Sequence, residues 1–411
     1  RRLRLVFVVT RAWPSLGGIE SFLRHLTREL GTRHDVTVLA QRVDGGATDR
    51  LTDSLRPPPA FEAFLDGPVH VEPLRVPPRR RLLLAPHAVA TLPVLARFAY
   101  GRMRLPLTTL YVEVVAPLIR DAAGRADLVH VFGGDLLAAA ALRAGRGLGA
   151  PVVMTPFAHR DQWGDDPAAA ATYRRADRVV GLLESDARLY RELGVPAERI
   201  SVSGNCSPGV PAGGGEAVRG SSGISGTLVL FLGVRRPYKG FDALLRAAAI
   251  VERVRPDVSF AFVGPGPPIA PGTGQANVID VGAVDDAGRA GWLEAADLLC
   301  LPSEGEIFPG SFLEAWSVGT PVLGSDIPPL IELIGRAGGG ATAPREPQGL
   351  ANAILALVAD PDRLRALGAA GRAFWERHAT VPAVAAWHEE LYAELLEAWT
   401  RGWVHGSQQK G

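Results

Sequence analysis

Glu306 and Glu314 stand eight residues apart around the turn Phe308-Pro309-Gly310-Ser311. The apolar run at 298–301 is of buried-strand type, and Pro302-Ser303 closes it. Ser311 is placed to cap a helix carrying Phe312, Leu313, Ala315 and Trp316. This reading puts Glu306 in a loop and Glu314 in the first turns of a helix. A helix that opens after a strand aims unpaired backbone N–H groups and a partial positive charge at the mouth of the sheet, where a phosphate can sit. Carboxylates repel phosphate but accept hydrogen bonds from vicinal hydroxyls. The expected ligand therefore carries hydroxyls at both ends and phosphate between them, the order found in a sugar nucleotide. The plain alternative makes Glu314 a favourable acid near a helix start and Glu306 a solvated loop charge.

Lysine and arginine together number 44, yet lysine stands only at Lys239 and Lys410. Lys239 lies in Gly233-Val234-Arg235-Arg236-Pro237-Tyr238-Lys239-Gly240, after the apolar run 228–232 and before a helix patterned by Phe241, Leu244, Leu245 and Ala248. A compact ammonium suits a diphosphate, and a nearby guanidinium adds a forked contact. The alternative is a surface lysine with no task.

These motifs give the C-terminal half its resemblance. Residues 175–390 resemble the retaining glycosyltransferases of family 4, through the Glu-x7-Glu element at Glu306 and Glu314 and the Gly-to-Lys-Gly element from Gly233 to Gly240. Between and after them, Val263-Gly264-Pro265-Gly266-Pro267, Ala296-Asp297 with Pro302-Ser303, and Gly319-Thr320-Pro321-Val322 follow in the family's order. One departure stands out. Most members place arginine directly after the glycine, where this chain has Val234, so we assign the diphosphate contact to Arg235, with Arg236 as the alternative.

The resemblance implies an α/β chain of the GT-B fold, with two Rossmann-like doubly wound domains facing a central cleft. It implies transfer of a hexose-type sugar, with retention, from a nucleotide diphosphate sugar to a hydroxyl acceptor: a polysaccharide, a lipid or a small natural product. UDP-sugar is the first choice of donor and GDP-sugar the second. The implied donor contacts are Gly17, Gly18, Arg235, Lys239, Glu306, Phe308, Pro309, Gly310, Ser311 and Glu314; His159, Arg235, Lys239 and Glu306 are the catalytic set. Glu314 would hold ribose and Glu306 the hydroxyls of the donor sugar. Attack from the front face, with the departing diphosphate oxygen taking the acceptor proton, needs positive charge more than a nucleophile. No Asp-x-Asp triplet and no histidine cluster offers a metal site, so no metal and no cofactor are expected. The rival readings are a non-catalytic protein that keeps the nucleotide pocket, a nucleotide-sugar epimerase, and a phosphorylase of the same fold, the last disfavoured because the one lysine outside the tail is committed to phosphate.

The elements that must position these residues begin at residues 3–9, an apolar strand, followed by the loop Trp13-Pro14-Ser15-Leu16-Gly17-Gly18 and a helix with Ile19, Phe22, Leu23, Leu26 and Leu30 on one face before Gly31. Gly17 and Gly18 let backbone approach a ligand; a helix-entry turn would use glycine equally. Further strands are expected at 127–131, 152–155 and 178–182. By the resemblance, His159 reaches the donor sugar near its reacting carbon. It stands further past the strand than in many members, and a plain polar loop side chain is the alternative. Arg160 and Asp161 are candidates for acceptor contacts, and His130 reads as a satisfied strand residue.

Length fits two domains, and composition puts a Gly, Pro and Ser-rich flexible linker over 208–226 between them and a disordered tail after Gly402; the resemblance implies acceptor binding over 1–207, nucleotide-sugar binding over 227–382, and a terminal helix over 383–401 returning toward the first domain. A hydrophobic content of 47% and a net charge of +1 describe a globular enzyme and give no argument for nucleic acid. Cys206 and Cys300 form no disulfide framework, and residues 3–9 read as a strand instead of a secretory signal, so a cytoplasmic location is expected. The segment 75–104 joins arginines to an apolar run behind the prolines at 57–59. We favour a core helix with a solvated arginine edge; the alternative rests this segment on the inner face of an anionic membrane. Its apolar stretch is too short and too often broken by proline to span a bilayer.

Overall fold

The computed structural model describes residues 1–15, 17–43, 61–90, 93–134, 136–160, 163–269 and 277–408. Leu16, the prolines at 57–59 and Asp161 lie outside them. The chain forms two compact units, one made of Arg1–Ser203 with Val384–Gly411 and one of Gly204–Ala383. Each is a doubly wound α/β layer structure.

In the first unit, β1 (Arg4–Arg11), β2 (Asp35–Arg42), β3 (Phe64–Asp66), β4 (Val69–Pro73), β5 (Leu128–Phe132), β6 (Val152–Thr155), β7 (Arg178–Gly181) and β8 (Ile200–Val202) form one sheet. Its order is β3-β4-β2-β1-β5-β6-β7-β8, parallel except for β3 against β4. Helices cover the central strands, so Phe7, Val8, Val129, Val131 and Val152 are buried and the strands read as near-continuous apolar runs. The first helix, α1 (Gly18–Gly31), buries Phe22, Leu23, Leu26 and Leu30 along one face, as the spacing predicts. The long α2 (Pro93–Ala123) buries Tyr111, Val114, Val115 and Ile119 and packs against α3 (Leu136–Leu148), so its C-terminal half is a core helix.

The second unit has β9 (Thr227–Leu232), β10 (Val258–Val263), β11 (Val278–Gly282), β12 (Leu298–Leu301), β13 (Val322–Ser325) and β14 (Gly340–Ala343). They are parallel, in the order β11-β10-β9-β12-β13-β14. Its helices include α4 (Gly215–Ser221), α5 (Phe241–Glu252), α6 (Asp286–Ala295), α7 (Gly310–Ser317) and α8 (Pro361–His378). The strand order reverses between β9 and β12, and ligands of such sheets bind outside the carboxyl ends of the strands at that reversal.

Two expectations about the connections are corrected. The stretch 208–226 is no flexible linker: it contains α4, and Glu294 accepts hydrogen bonds from the N–H groups of Gly213, Gly214 and Gly215 at 2.8, 2.6 and 2.9 Å. Its small residues permit close packing, since a Cβ on Gly214 would meet the Gly291 backbone at 3.1 Å. The last helix, α9 (Val381–Gln408), runs past Gly402, where a tail was expected. From Val384 onward it belongs to the first unit. There Tyr392 Oη lies 2.6 Å from His130 Nδ1, Glu389 accepts from Arg33 at 2.7 Å, and Trp399 Nε1 donates to the Gly149 carbonyl at 2.9 Å.

His130 has its other nitrogen 2.8 Å from Thr155 Oγ1 and is fully buried, which makes it the satisfied strand residue that the sequence suggested. No helix among the described residues is long and apolar enough to cross a membrane.

Candidate functional site

Both carboxyl-terminal loops at the reversal of the second sheet carry the residues singled out above. After β9 the chain makes one tight turn, Pro237–Lys239, which ends at Gly240 with φ of 72°. Any Cβ there would lie 2.2 Å from the Pro302 carbonyl oxygen of the loop after β12, so only glycine allows the two loops this close. Glu304 N donates to the Tyr238 carbonyl at 2.7 Å and ties them together. Lys239 and Glu306 consequently meet in an ion pair, with side chains 23% and 11% exposed. The ammonium also lies 5.1 Å from the Tyr238 ring centre.

Beyond Glu306 the chain turns through Phe308 and Pro309, both buried, into α7. Asn205 fixes that turn by donating to the Phe308 carbonyl at 3.1 Å. Pro309 is the residue before the helix and no side chain caps it. Ser311 therefore is not the cap that its type suggested; it sits inside the first turn, behind Gly310. The first-turn N–H groups are left to backbone or to a ligand, which suits an anion.

Glu314 follows one turn later. Burial raises its pKa above the ordinary carboxylate value, and the Arg289 guanidinium opposes that shift from 2.7 Å. Arg289 comes from α6, which Asp285 caps through the Gly288 N–H at 2.8 Å.

Arg235 is placed differently from the expectation. Its side chain is only 1% exposed, is ion-paired with Asp280, and donates to the Pro267 carbonyl at 3.0 Å. Burial opposes ionisation of Asp280, but the Arg235 hydrogen bond and backbone N–H donors outweigh it and hold the carboxyl below its usual range. The guanidinium expected on a diphosphate is thus tied into the strand ends; the exposed one in this turn belongs to Arg236.

In the first unit, Gly17 stands just before α1, and a Cβ there would strike the Glu20 carboxylate at 2.0 Å. Glu20 is buried and held by Arg11 at 2.7 Å. A side chain at Gly17 would have to displace the Glu20 carboxylate from this pair, while a Cβ on Gly18 meets nothing within 4 Å. His159 is half-buried beyond β6, where its backbone exchanges hydrogen bonds with Trp163 at 2.9 and 3.2 Å. Phe157, two residues earlier, is a buried aromatic with φ of 54°, a strained conformation that fixes the path of the chain into His159. Arg160 is exposed and paired with Glu192.

No group of three or more metal-ligating side chains occurs among the described residues. The Asp-x-Asp spacing at Asp360 and Asp362 has a structural task at the start of α8: Asp360 accepts from the Arg363 N–H at 2.9 Å, and Asp362 pairs with Arg365. Sequence reasoning missed Arg289, Asp280 and Asn205. The only hint was Arg289 lying three residues after Asp286 on a helical face.

Comparison with known proteins decides the family. The glycosyl transferases group 1 pattern matches residues 226–360, and the glycosyl transferase 4-like domain pattern matches 17–206. The chain belongs to the glycosyl transferases group 1 family. Similar proteins include the D-inositol 3-phosphate glycosyltransferase of Thermobispora bispora, 32% identical over 54% of this chain and 57% of that protein. Another is the phosphatidyl-myo-inositol mannosyltransferase of Mycobacterium tuberculosis, 36% identical over 32% of this chain and 36% of that one. The chain thus spans little more than half the length of the first of these relatives. Among solved structures, Anabaena Alr3699/HepE in complex with UDP and glucose superimposes with a TM-score of 0.65 at 18% identity, covering 95% of this chain and all of that one. Sucrose-phosphate synthase from Thermosynechococcus elongatus gives a TM-score of 0.67 at 18% identity, over 97% and 100%. At that identity the likeness concerns the fold, and it makes this group 1 family member a two-domain GT-B chain.

Proposed function

We propose that this group 1 family member is a retaining glycosyltransferase that moves a hexose-type sugar from a nucleotide diphosphate sugar to a hydroxyl acceptor, without a metal. The observation that carries the reading is the meeting of Lys239, Glu306 and the uncapped start of α7 at the sheet reversal. There a diphosphate meets an ammonium and backbone N–H donors. Glu314 accepts from ribose hydroxyls and Glu306 from hydroxyls of the donor sugar. The bond from the anomeric carbon to the phosphate oxygen breaks, the acceptor oxygen bonds to that carbon on the same face, and its proton passes to the departing oxygen. Lys239 and the helix terminus stabilise the charge growing there, an effect of several kcal/mol in such sites, roughly 3 per donor. Arg236, being exposed, takes the contact first assigned to Arg235.

UDP-sugar is the preferred donor, in keeping with the UDP named in the HepE complex, and GDP-sugar the second. The inositol-based names of the curated relatives favour a polyol acceptor. Release of UDP or GDP with and without candidate acceptors tests the reading. A transferase releases nucleotide when acceptor is added; a protein that only binds nucleotide never does, and that outcome would sink the proposal.

We propose a cytoplasmic location, with 75–104 as the candidate segment for peripheral membrane contact. Leu82 and Leu83 are 76% and 54% exposed beside Arg79 and Arg81, and no acidic residue stands between Glu72 and Glu113. Exposed leucines among arginines in a stretch without acidic residues suit an anionic bilayer surface. Sedimentation with anionic but not neutral vesicles is expected, and equal recovery from both would refute the contact.

A further inference from the structure

We infer that Arg289 is a positioning residue for nucleotide binding: its guanidinium orients Glu314 and keeps it ionised, and so makes the site select ribose. This deepens the reading above and rests on Glu314 being the ribose anchor. The argument starts from the cost of burying a carboxylate. Glu314 is only 18% exposed, and a buried, unpaired carboxylate takes up a proton and then offers a donor where two ribose hydroxyls need acceptors. Arg289 prevents this. Its Nη1 lies 2.7 Å from Glu314 Oε1, and that pair does not engage Oε2. The guanidinium is held in turn by Asp286 at 3.2 Å from the same helix, and its Nε is buried. The charged groups acting on Glu314 are Arg289 and Asp286, both from α6; Asp286 works against Arg289 by favouring the protonated form. On the other packed helix, α8, contact with α7 runs through Phe374 and Gly371 against Trp316. Arginine matters here beyond its charge, because its rigid guanidinium presents Nη1 to Glu314 and Nη2 to Asp286 at a fixed angle.

Calorimetric titration of the full chain with UDP against 2′-deoxy-UDP, or GDP against 2′-deoxy-GDP if that pair binds more tightly, tests the assignment across pH 5 to 8.5. Wild type is expected to prefer the ribonucleotide by about 10-fold or more, the range of a hydrogen bond to a charged group. Arg289→Gln should lose most of that preference at pH 7 and recover it as pH rises, because the carboxyl then titrates higher; Arg289→Lys should restore the preference in part. A merely structural role for Arg289 would weaken both nucleotides equally at every pH. Should Glu314→Ala abolish the preference while Arg289→Gln keeps it with an unshifted pH profile, Arg289 is excluded and the ribose anchor stands. A preference that survives Glu314→Ala, or failure of both nucleotides to bind wild type, overturns the anchor and this inference with it.

Discussion

Lys239 and Glu306, 67 residues apart in the chain, share an ion pair because the left-handed Gly240 lets their loops touch. A cation and an anion to which the proposed function gives different parts of one ligand are thus held together by the fold.

Replacing Lys239 by Ala should lower turnover by a factor on the order of 100 to 1000 and cost on the order of 1 to 2 kcal/mol of stability, since it leaves the largely buried Glu306 carboxylate without its cation. Nucleotide-release assays and thermal melts read the two quantities separately. Full activity in this variant would falsify the leaving-group role.

The two neighbouring arginines should divide their effects. Arg235→Ala removes a buried guanidinium from Asp280 and from the Pro267 carbonyl and should cost on the order of 2 to 3 kcal/mol, below the value for a fully buried pair because Asp280 is 28% exposed. Arg236→Ala should leave the melting temperature in place and weaken nucleotide binding about 10-fold. The reverse pattern would return the phosphate contact to Arg235.

Glu314 carries a pKa raised by burial, so at neutral pH its ionised form costs stability, and that cost is relieved as pH falls through the raised value. Glu314→Gln is therefore expected to keep or raise the melting temperature at pH 7 while weakening nucleotide binding about 10-fold. A clear fall in melting temperature would show that the residue serves the fold.

The core of the first unit should be acid-sensitive. His388 is fully buried with its pKa lowered to about 4, and His130 beside it is lowered as well, both by desolvation. An unfolded histidine takes up a proton near 6.5, so stability drops as pH falls from about 6.5 to about 4, by on the order of 3 kcal/mol for His388 alone. His388→Phe should flatten that part of a denaturation profile taken against pH; an unchanged slope would rule out this source.

Much of the molecule was legible in the residues themselves. Parallel strands covered on both faces read as near-continuous apolar runs, so 127–131, 152–155 and 228–232 announced themselves, and the amphipathic spacing of α1 fixed its buried face. The types and order of Lys239, Glu306 and Glu314 suggested the chemistry proposed above. Packing decided the rest. Whether a guanidinium is exposed or tucked under a turn depends on which side of the strand end it leaves, and the neighbours Arg235, buried, and Arg236, exposed, differ in that. Whether a Gly-rich stretch is a tether or a packed helix depends on a partner such as Glu294, nearly 80 residues away. Arg289 acquires its meaning only when α6 is laid beside α7, because the field of a charge is set by distance through space and not by separation along the chain.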